Sequence, residues 1–474
     1  MTPRKPKPAK KGPKSPKLNR AGAPSLHRPL GARVGSRGAE LAPSHPAAPR
    51  LVVIDKPVYG GAFLARLDGK AVFVPLTLPG EEASIRIVED RRGYATAEAE
   101  QIVNISPARI APKCPHFGVC GGCHYQHADG ESQLAFKQAI LRETLLRAGV
   151  QPPAELHMLS APLPHQAWAY RNRIRLAFDS AGNPGYRGRR SHAIVPIQEC
   201  PIAAPLLLDA AQAFADVLRQ AAPDLRPSEL SLFCDAGETA LLASLFAGAP
   251  SKVHFDELAK AVHERIPALK GAELIAETRA GAPPQTVALW GATSLSYHAA
   301  GFDYRVDHGA FFQVNRWLVD SLVESVTANQ SGSLAWDLFA GVGLFARRLT
   351  STFARVVAVE SAPTAIRALE ENLRDSSGCS VRATTLDFLR SNPKGGRPDL
   401  IVVDPPRIGL GPEITALLVR VAAPALVYVS CDPATLARDL RTLLDSGYQI
   451  ESLTLADLFP QTFHLETVVR LRRA

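Results

Sequence analysis

Cys431 closes the apolar run "PALVYVSC" and is followed at once by "DPATLARDL", whose Asp-Pro start and apolar spacing predict a helix. A thiol that only packed would sit two or four residues earlier, inside the run. At a strand tip beside a helix start it is placed to act as a nucleophile, and the helix dipole is expected to lower its pKa towards thiolate. Three further thiols, Cys114, Cys120 and Cys123, fall in "CPHFGVCGGCHYQH" with C-x5-C-x2-C spacing, and Cys200 of "IQECPIAA" is a credible fourth. Such a set suits structural zinc, for which His116, His124 and His127 are also available, or an iron–sulfur cluster. Spacing leaves both open. Cys234 and Cys379 belong to no motif and read as packing residues.

A second chemistry-bearing stretch is "DLFAGVGLFARRL", in which Gly341, Gly343 and Ala346 satisfy G-x-G-x-x-A. Such a turn brings backbone close to a bound nucleotide. Glu360 ends the next apolar run, where a carboxylate can accept hydrogen bonds from ribose hydroxyls. Hydride-transfer enzymes share that layout. Three features argue against that class: Asp337 before the loop, which suits the acidic first strand of S-adenosylmethionine enzymes, an antiparallel pair at the end of the sheet, and the strand ends "VVDPPRIGL" and "YVSCDPATL". Ligands bind at the carboxyl ends of an open parallel sheet. Asp404, Pro405, Pro406 and Cys431 are therefore expected in one crevice, the Pro-Pro pair stiffening the backbone to hold a planar base.

The elements that must position these groups follow from periodicity. "LAWDLFA", "RVVAVE", "SVRATTL", "PDLIVVD" and "PALVYVS" predict successive strands, with helical stretches between most of them. Their continuous apolar character suits a parallel sheet covered on both faces. "YQIESLTLADLF" and "LETVVRLRR" leave little room for a helix and predict an antiparallel pair closing the sheet edge. From about Trp168 to Val306 the pattern is strand-rich, with helices near 205–220 and 255–265. Residues 51–105 alternate short β-rich runs with turns, as in a small barrel, one hairpin turning at Asp68-Gly69. "SQLAFKQAILRETLLRAG" predicts a helix stopping at Gly149.

At 474 residues the chain exceeds one core. Of the net charge of +9, residues 1–50 carry twelve Lys and Arg against Glu40 alone, so the remainder is close to neutral. The first 50 residues read as a disordered basic tail, either phosphate-neutralising or merely solubilising. No apolar run spans a membrane and no secretory signal is visible, so the cytoplasm is the expected location. Seven cysteines at irregular spacing argue against a disulfide framework.

"FFQVN", "DLFAGVGLF", "VVAVE", "VDPPR", "SCDPATLARDL" and "FPQTFHLETVVRL" together resemble the S-adenosylmethionine-dependent RNA 5-methyluridine (uracil-C5) methyltransferases over roughly residues 50–474. The resemblance implies a TRAM/OB-like RNA-binding barrel over 51–106, a mixed α+β central domain with a Cys-rich loop over 107–310, and an α/β Rossmann-like class I methyltransferase domain over 311–474. It makes Cys431 the nucleophile that adds to C6 of the uracil, and Glu466 the general base that removes the proton from C5; standing alone, "HLE" would read as an exposed strand glutamate. It implies S-adenosyl-L-methionine contacts at Gln313, Phe339, Glu360, Asp387 and Asp404, although Asp404 could touch the uracil instead. Leu344 stands where an asparagine is frequent, so one side-chain contact is missing or supplied by backbone. It further implies a [4Fe–4S] cluster on Cys114, Cys120, Cys123 and Cys200, structural in role.

RNA is the implied partner, and a monomer is expected. "YRNRIRLAF" and "GYRGRRSH" interleave aromatic and basic residues (Tyr170, Arg171, Arg173, Tyr186, Arg187 and Arg189 among them) that can stack bases and bind phosphates. The bland alternative is a half-exposed strand with alternating charge. A uridine of 23S rRNA is the favoured substrate by analogy. The competing readings are a tRNA 5-methyluridine methyltransferase, a non-catalytic RNA-binding assembly factor on the same scaffold, and an amino-group methyltransferase using the Asp-Pro-Pro turn. The last needs neither Cys431 nor Glu466.

Overall fold

The computed structural model describes residues 50–221, 225–248, 250–277, 285–391 and 396–473; the basic tail expected over 1–50 lies outside them but for Arg50. β1 (Arg50–Pro57), β2 (Ala62–Leu67), β3 (Lys70–Pro75), β4 (Glu82–Asp90) and β5 (Tyr94–Asn104) close a barrel in the order β1-β2-β3-β5-β4. Alternate residues point inward, so Val52, Ile54, Val72 and Val74 are buried. Asp68 and Gly69, at φ 52° and 81°, supply the two left-handed residues that a tight hairpin between twisted strands requires.

α1 (Gly130–Arg147) starts where the Asp129 carboxylate accepts Ser132 N–H at 2.7 Å, and the chain turns off it at Gly149, φ 75°. Its Ile140, Leu141 and Leu145 pack with Leu334, Tyr428 and Leu443, so the helix covers the C-terminal sheet. β6 (His157–Leu159) follows. A separate sheet is then built from β7 (Arg173–Phe178), β8 (Pro184–Arg187), β9 (Ile194–Pro196), β10 (Pro227–Cys234), β11 (Leu241–Ala247), β12 (Leu269–Ala276) and β13 (Gln285–Gly291), in the order β13-β12-β11-β10-β7-β8-β9. α2 (Pro205–Ala221) and α3 (Lys252–Arg265) cover it, Leu207, Phe214, Phe255 and Leu258 meeting Leu230, Leu245 and Leu274. Cys234 is buried in that core and Cys379 packs at the edge of another, as packing residues. The hairpin β14 (Ser294–Ala299) and β15 (Phe302–Asp307) sends Tyr297 and Tyr304 into the catalytic core.

That core surrounds α4 (Val319–Thr327), β16 (Gly332–Leu338), α5 (Leu344–Leu349), β17 (Phe353–Glu360), α6 (Pro363–Asn372), β18 (Gly378–Arg382), α7 (Thr385–Arg390), β19 (Leu400–Val403), α8 (Gly411–Val421), β20 (Ala425–Ser430), α9 (Pro433–Asp445), β21 (Tyr448–Ala456) and β22 (Glu466–Arg473). The strand order is β18-β17-β16-β19-β20-β22-β21-β6. β16 to β20 run parallel, and the order reverses between β16 and β19, which opens a crevice above their carboxyl ends. Two expectations are corrected. The antiparallel pair does not close the edge, because β6 adds a parallel strand to β21. "SVRATTL" is strand only to Arg382; the Thr384 hydroxyl then accepts Asp387 N–H and starts α7. No helix among the described residues is long and apolar enough to cross a membrane.

Candidate active site

The nucleotide loop leaves β16 through Phe339, Gly341 and Gly343, all left-handed at φ 67°, 56° and 91°. A Cβ on Gly341 would meet nothing within 4 Å, so backbone faces open space there, whereas one on Gly343 would strike Leu369 at 2.7 Å. Glu360 holds the loop: one oxygen accepts Gly341 N–H at 2.9 Å, the other Ser361 and Ala362 N–H, each at 2.6 Å. Beneath it, fully buried Asp337 accepts Ala346 N–H at 2.8 Å through Oδ2, while Oδ1 has no partner. Burial, then the charges of Asp404 and Glu360, raise its pKa to about 7.

The strand ends converge as expected. Burial raises Asp404 to about 7 and pushes Glu466 well above the carboxylate range, with Asp404 as the next contributor at Glu466. Cys431 feels both carboxylates. The expected lowering of its pKa is corrected: burial, then Glu466 and Asp404, push the thiol up to about 12, against the opposing pull of Arg407. The Asp432 carboxylate caps α9 by accepting Ala434 and Thr435 N–H, each at 3.0 Å.

Gln313 is buried, its main-chain carbonyl accepting Asn172 Nδ2–H at 2.9 Å. Asp387 is exposed at the start of α7, its carboxylate accepting the Thr384 hydroxyl at 2.7 Å. Leu344 is buried in the core, so its side chain is not offered to the crevice.

Sequence reasoning missed three neighbours. Arg407, from the loop after β19, acts on Cys431 and Glu466 and lies 3.4 Å from His464 Nδ1. His464 also lines the cysteine cavity described next. Tyr59, from the barrel, faces Asp432; burial and that carboxylate push its phenol above the ordinary range. The arginine of "VDPPR" and the histidine of "HLE" were visible signals, but nothing marked Tyr59.

Cys114, Cys120, Cys123 and Cys200 line one cavity of about 230 Å³, shared with Arg171, Tyr186 and His464. Gly121 N–H donates to the Arg187 carbonyl at 3.1 Å and Arg189 N–H to the Val119 carbonyl at 2.8 Å, which ties the Cys-rich loop to β8. Among the described residues, no group of three or more His, Cys, Asp or Glu side chains is placed to hold a metal ion.

A relative in Shewanella frigidimarina, the 23S rRNA (uracil(1939)-C(5))-methyltransferase RlmD, is 34% identical over 430 residues, covering 86% of this chain and 92% of its own length. The chain belongs to the RNA (uracil-C5)-methyltransferases. Residues 397–474 match the tRNA (Uracil-5-)-methyltransferase family and residues 50–99 the TRAM domain. An uncharacterized RNA methyltransferase of Streptomyces avermitilis is 32% identical, covering 89% of this chain and 98% of its own. The solved tRNA (uracil-54, C5)-methyltransferase of Pyrococcus abyssi, in complex with S-adenosyl-L-homocysteine, shares the fold at a TM-score of 0.71 and 24% identity, covering 89% of this chain and all of its own.

Proposed function

We propose that this RNA (uracil-C5)-methyltransferase modifies a uridine of 23S rRNA through a covalent bond between Cys431 Sγ and C6 of the base. The convergence of Cys431, Glu466 and Asp404 above the parallel strands carries the reading, and the 23S assignment rests on the RlmD relative. The domain division into barrel, central region and catalytic region, near residues 106 and 310, is part of the proposal. A uridine within folded RNA must first turn outward to reach the crevice.

C5 of uracil is a weak nucleophile. Addition of the thiolate to C6 places electron density on C5, which splits one hard step into easier ones. S-adenosyl-L-methionine, when bound, supplies a methyl group on a positively charged sulfur. Gly341, with open space over its backbone, the unpartnered Asp337 Oδ1 and Glu360 fit such a ligand, and Phe339, Gln313, Asp404 and Asp387 complete the proposed set. Glu466 then takes the proton from C5, the C5–C6 double bond re-forms and the Cys431 thiolate leaves. Burial raises the pKa of Glu466, so its ionised form is a stronger base towards the C5 proton.

Four thiols around one cavity suit a [4Fe–4S] cluster on Cys114, Cys120, Cys123 and Cys200, as the family resemblance implies. Half-buried Arg171, whose buried Nε has no partner, offers the positive charge that an anionic occupant needs. Such a cluster would tie the Cys-rich loop to the central sheet.

Incubation with 5-fluorouridine-substituted 23S rRNA and transfer RNA tests the reading. A covalent complex on the ribosomal fragment, absent with Cys431→Ala, is expected. Trapping on transfer RNA alone reassigns the substrate, and undiminished turnover by Cys431→Ala refutes the mechanism.

A further inference from the structure

Ala456 and Glu466 face each other as the last paired residues of β21 and β22. The loop between them, residues 457–465, therefore ends on the proposed general base, and whatever fixes the loop fixes the carboxylate. Its first leg is held at Asp457, which pairs with buried Lys137 at 2.5 Å, and at Leu458 and Phe459, whose carbonyls accept Asn315 Nδ2–H at 3.0 Å and Lys137 Nζ–H at 2.9 Å.

Gln461 forms the apex. It is 5% exposed and holds φ 70°, a left-handed conformation that a non-glycine residue keeps only when its surroundings over-determine it. Those surroundings are four hydrogen bonds. Its side-chain oxygen accepts Gln133 Nε2–H and its backbone N–H donates to Gln133 Oε1, both at 2.9 Å. Its carbonyl accepts His124 N–H at 2.9 Å and Tyr125 N–H at 3.0 Å, the two residues directly after Cys123. One residue thus ties the base loop to α1 and to the Cys-rich loop.

We propose that Gln461 is a positioning residue for Glu466, locking the base loop onto α1 and the Cys-rich loop so that proton removal from C5 keeps pace with the earlier steps. The inference rests on Glu466 being the base. Displacing a reacting group by about 1 Å costs roughly a hundredfold in rate. Loss of the lock should therefore slow resolution of the methylated adduct far more than its formation.

The test uses the full-length protein, Gln461→Gly and Gln133→Ala, with Glu466→Gln alongside. Glycine removes the side-chain fork while relieving the left-handed strain, and Gln133→Ala reads the same fork from the other side. The measurements are kcat, KM for RNA and the fraction of enzyme covalently bound to ordinary, unfluorinated RNA. Both variants should lose about tenfold or more in kcat, leave KM within about twofold and accumulate adduct as Glu466→Gln does. Unchanged kcat, or a loss of kcat with no rise in adduct, overturns the proposal, since a merely structural defect slows formation and resolution together. If Glu466→Gln itself accumulates no adduct, the assignment of the base fails, and the proposal with it.

Discussion

Tyr59 of the barrel meets Phe463 of the base loop edge to face, the ring centroids 5.4 Å apart and the planes at 89°. Phe463 also packs against His124 of the Cys-rich loop, at 4.6 Å between centroids. The RNA-binding barrel, the thiol-lined cavity and the catalytic loop therefore share one aromatic junction.

Tyr59→Ala should destabilise this junction by roughly 0.5–1.5 kcal/mol beyond the lost packing area, the worth of an aromatic pair. Tyr59→Phe keeps the ring contact and should lose less. Urea midpoints of the two variants against the parent protein provide the comparison; equal losses would mean that the phenol's partner Asp432, not the ring, holds the barrel.

The acidic surroundings of Cys431 set a pH dependence. Below a thiol pKa pushed up to about 12, the thiolate fraction grows about tenfold per pH unit. Asp404, raised to about 7, ionises between pH 6 and 8 and adds a negative charge that opposes thiolate formation. Glu466, also raised by burial, adds a second such charge as it ionises, so single-turnover adduct formation should rise with pH by less than tenfold per unit wherever either carboxylate is titrating. Arg407 pulls the thiol pKa down, so Arg407→Gln should slow adduct formation at every pH in that range. A rate independent of pH would show that the thiol loses its proton by another route.

Lys137 and Asp457 are a buried ion pair, their side chains 1% and 10% exposed. Lys137→Met leaves a carboxylate unpaired in a poorly solvated place and should cost about 3–5 kcal/mol. Lys137→Met with Asp457→Asn should recover part of that loss, because no buried charge remains. Denaturant unfolding of both variants decides.

Cys200 is expected to hold iron together with the three thiols of the Cys-rich loop. Protein purified without air should contain iron and acid-labile sulfide; Cys200→Ser should lose most of both, whereas Cys234→Ser should keep them. Equal iron contents in the two variants would remove Cys200 from the ligand set.

Much of the architecture was legible because it rests on local pattern. The apolar runs at 334–340, 355–360 and 424–430 could only be buried strands, and strand ends carrying Asp404 and Cys431 had to share one crevice once the sheet was parallel. The spacing of Cys114, Cys120 and Cys123 likewise marked a common site before any fold was known. Periodicity failed at His157–Leu159, since three residues have no measurable period; the strand exists only because β21 offers it an edge.

What the chain order could not reveal is which distant groups meet. Gln133 reaches Gln461 across 328 positions, and Tyr59 reaches the helix cap beside Cys431 from the far end of the chain. The direction of the Cys431 pKa shift is set at the same level. Sequence places the thiol at a helix start, which favours thiolate, but burial and two carboxylates from other strands reverse the sign, because charge interactions depend on distance through space and not along the chain.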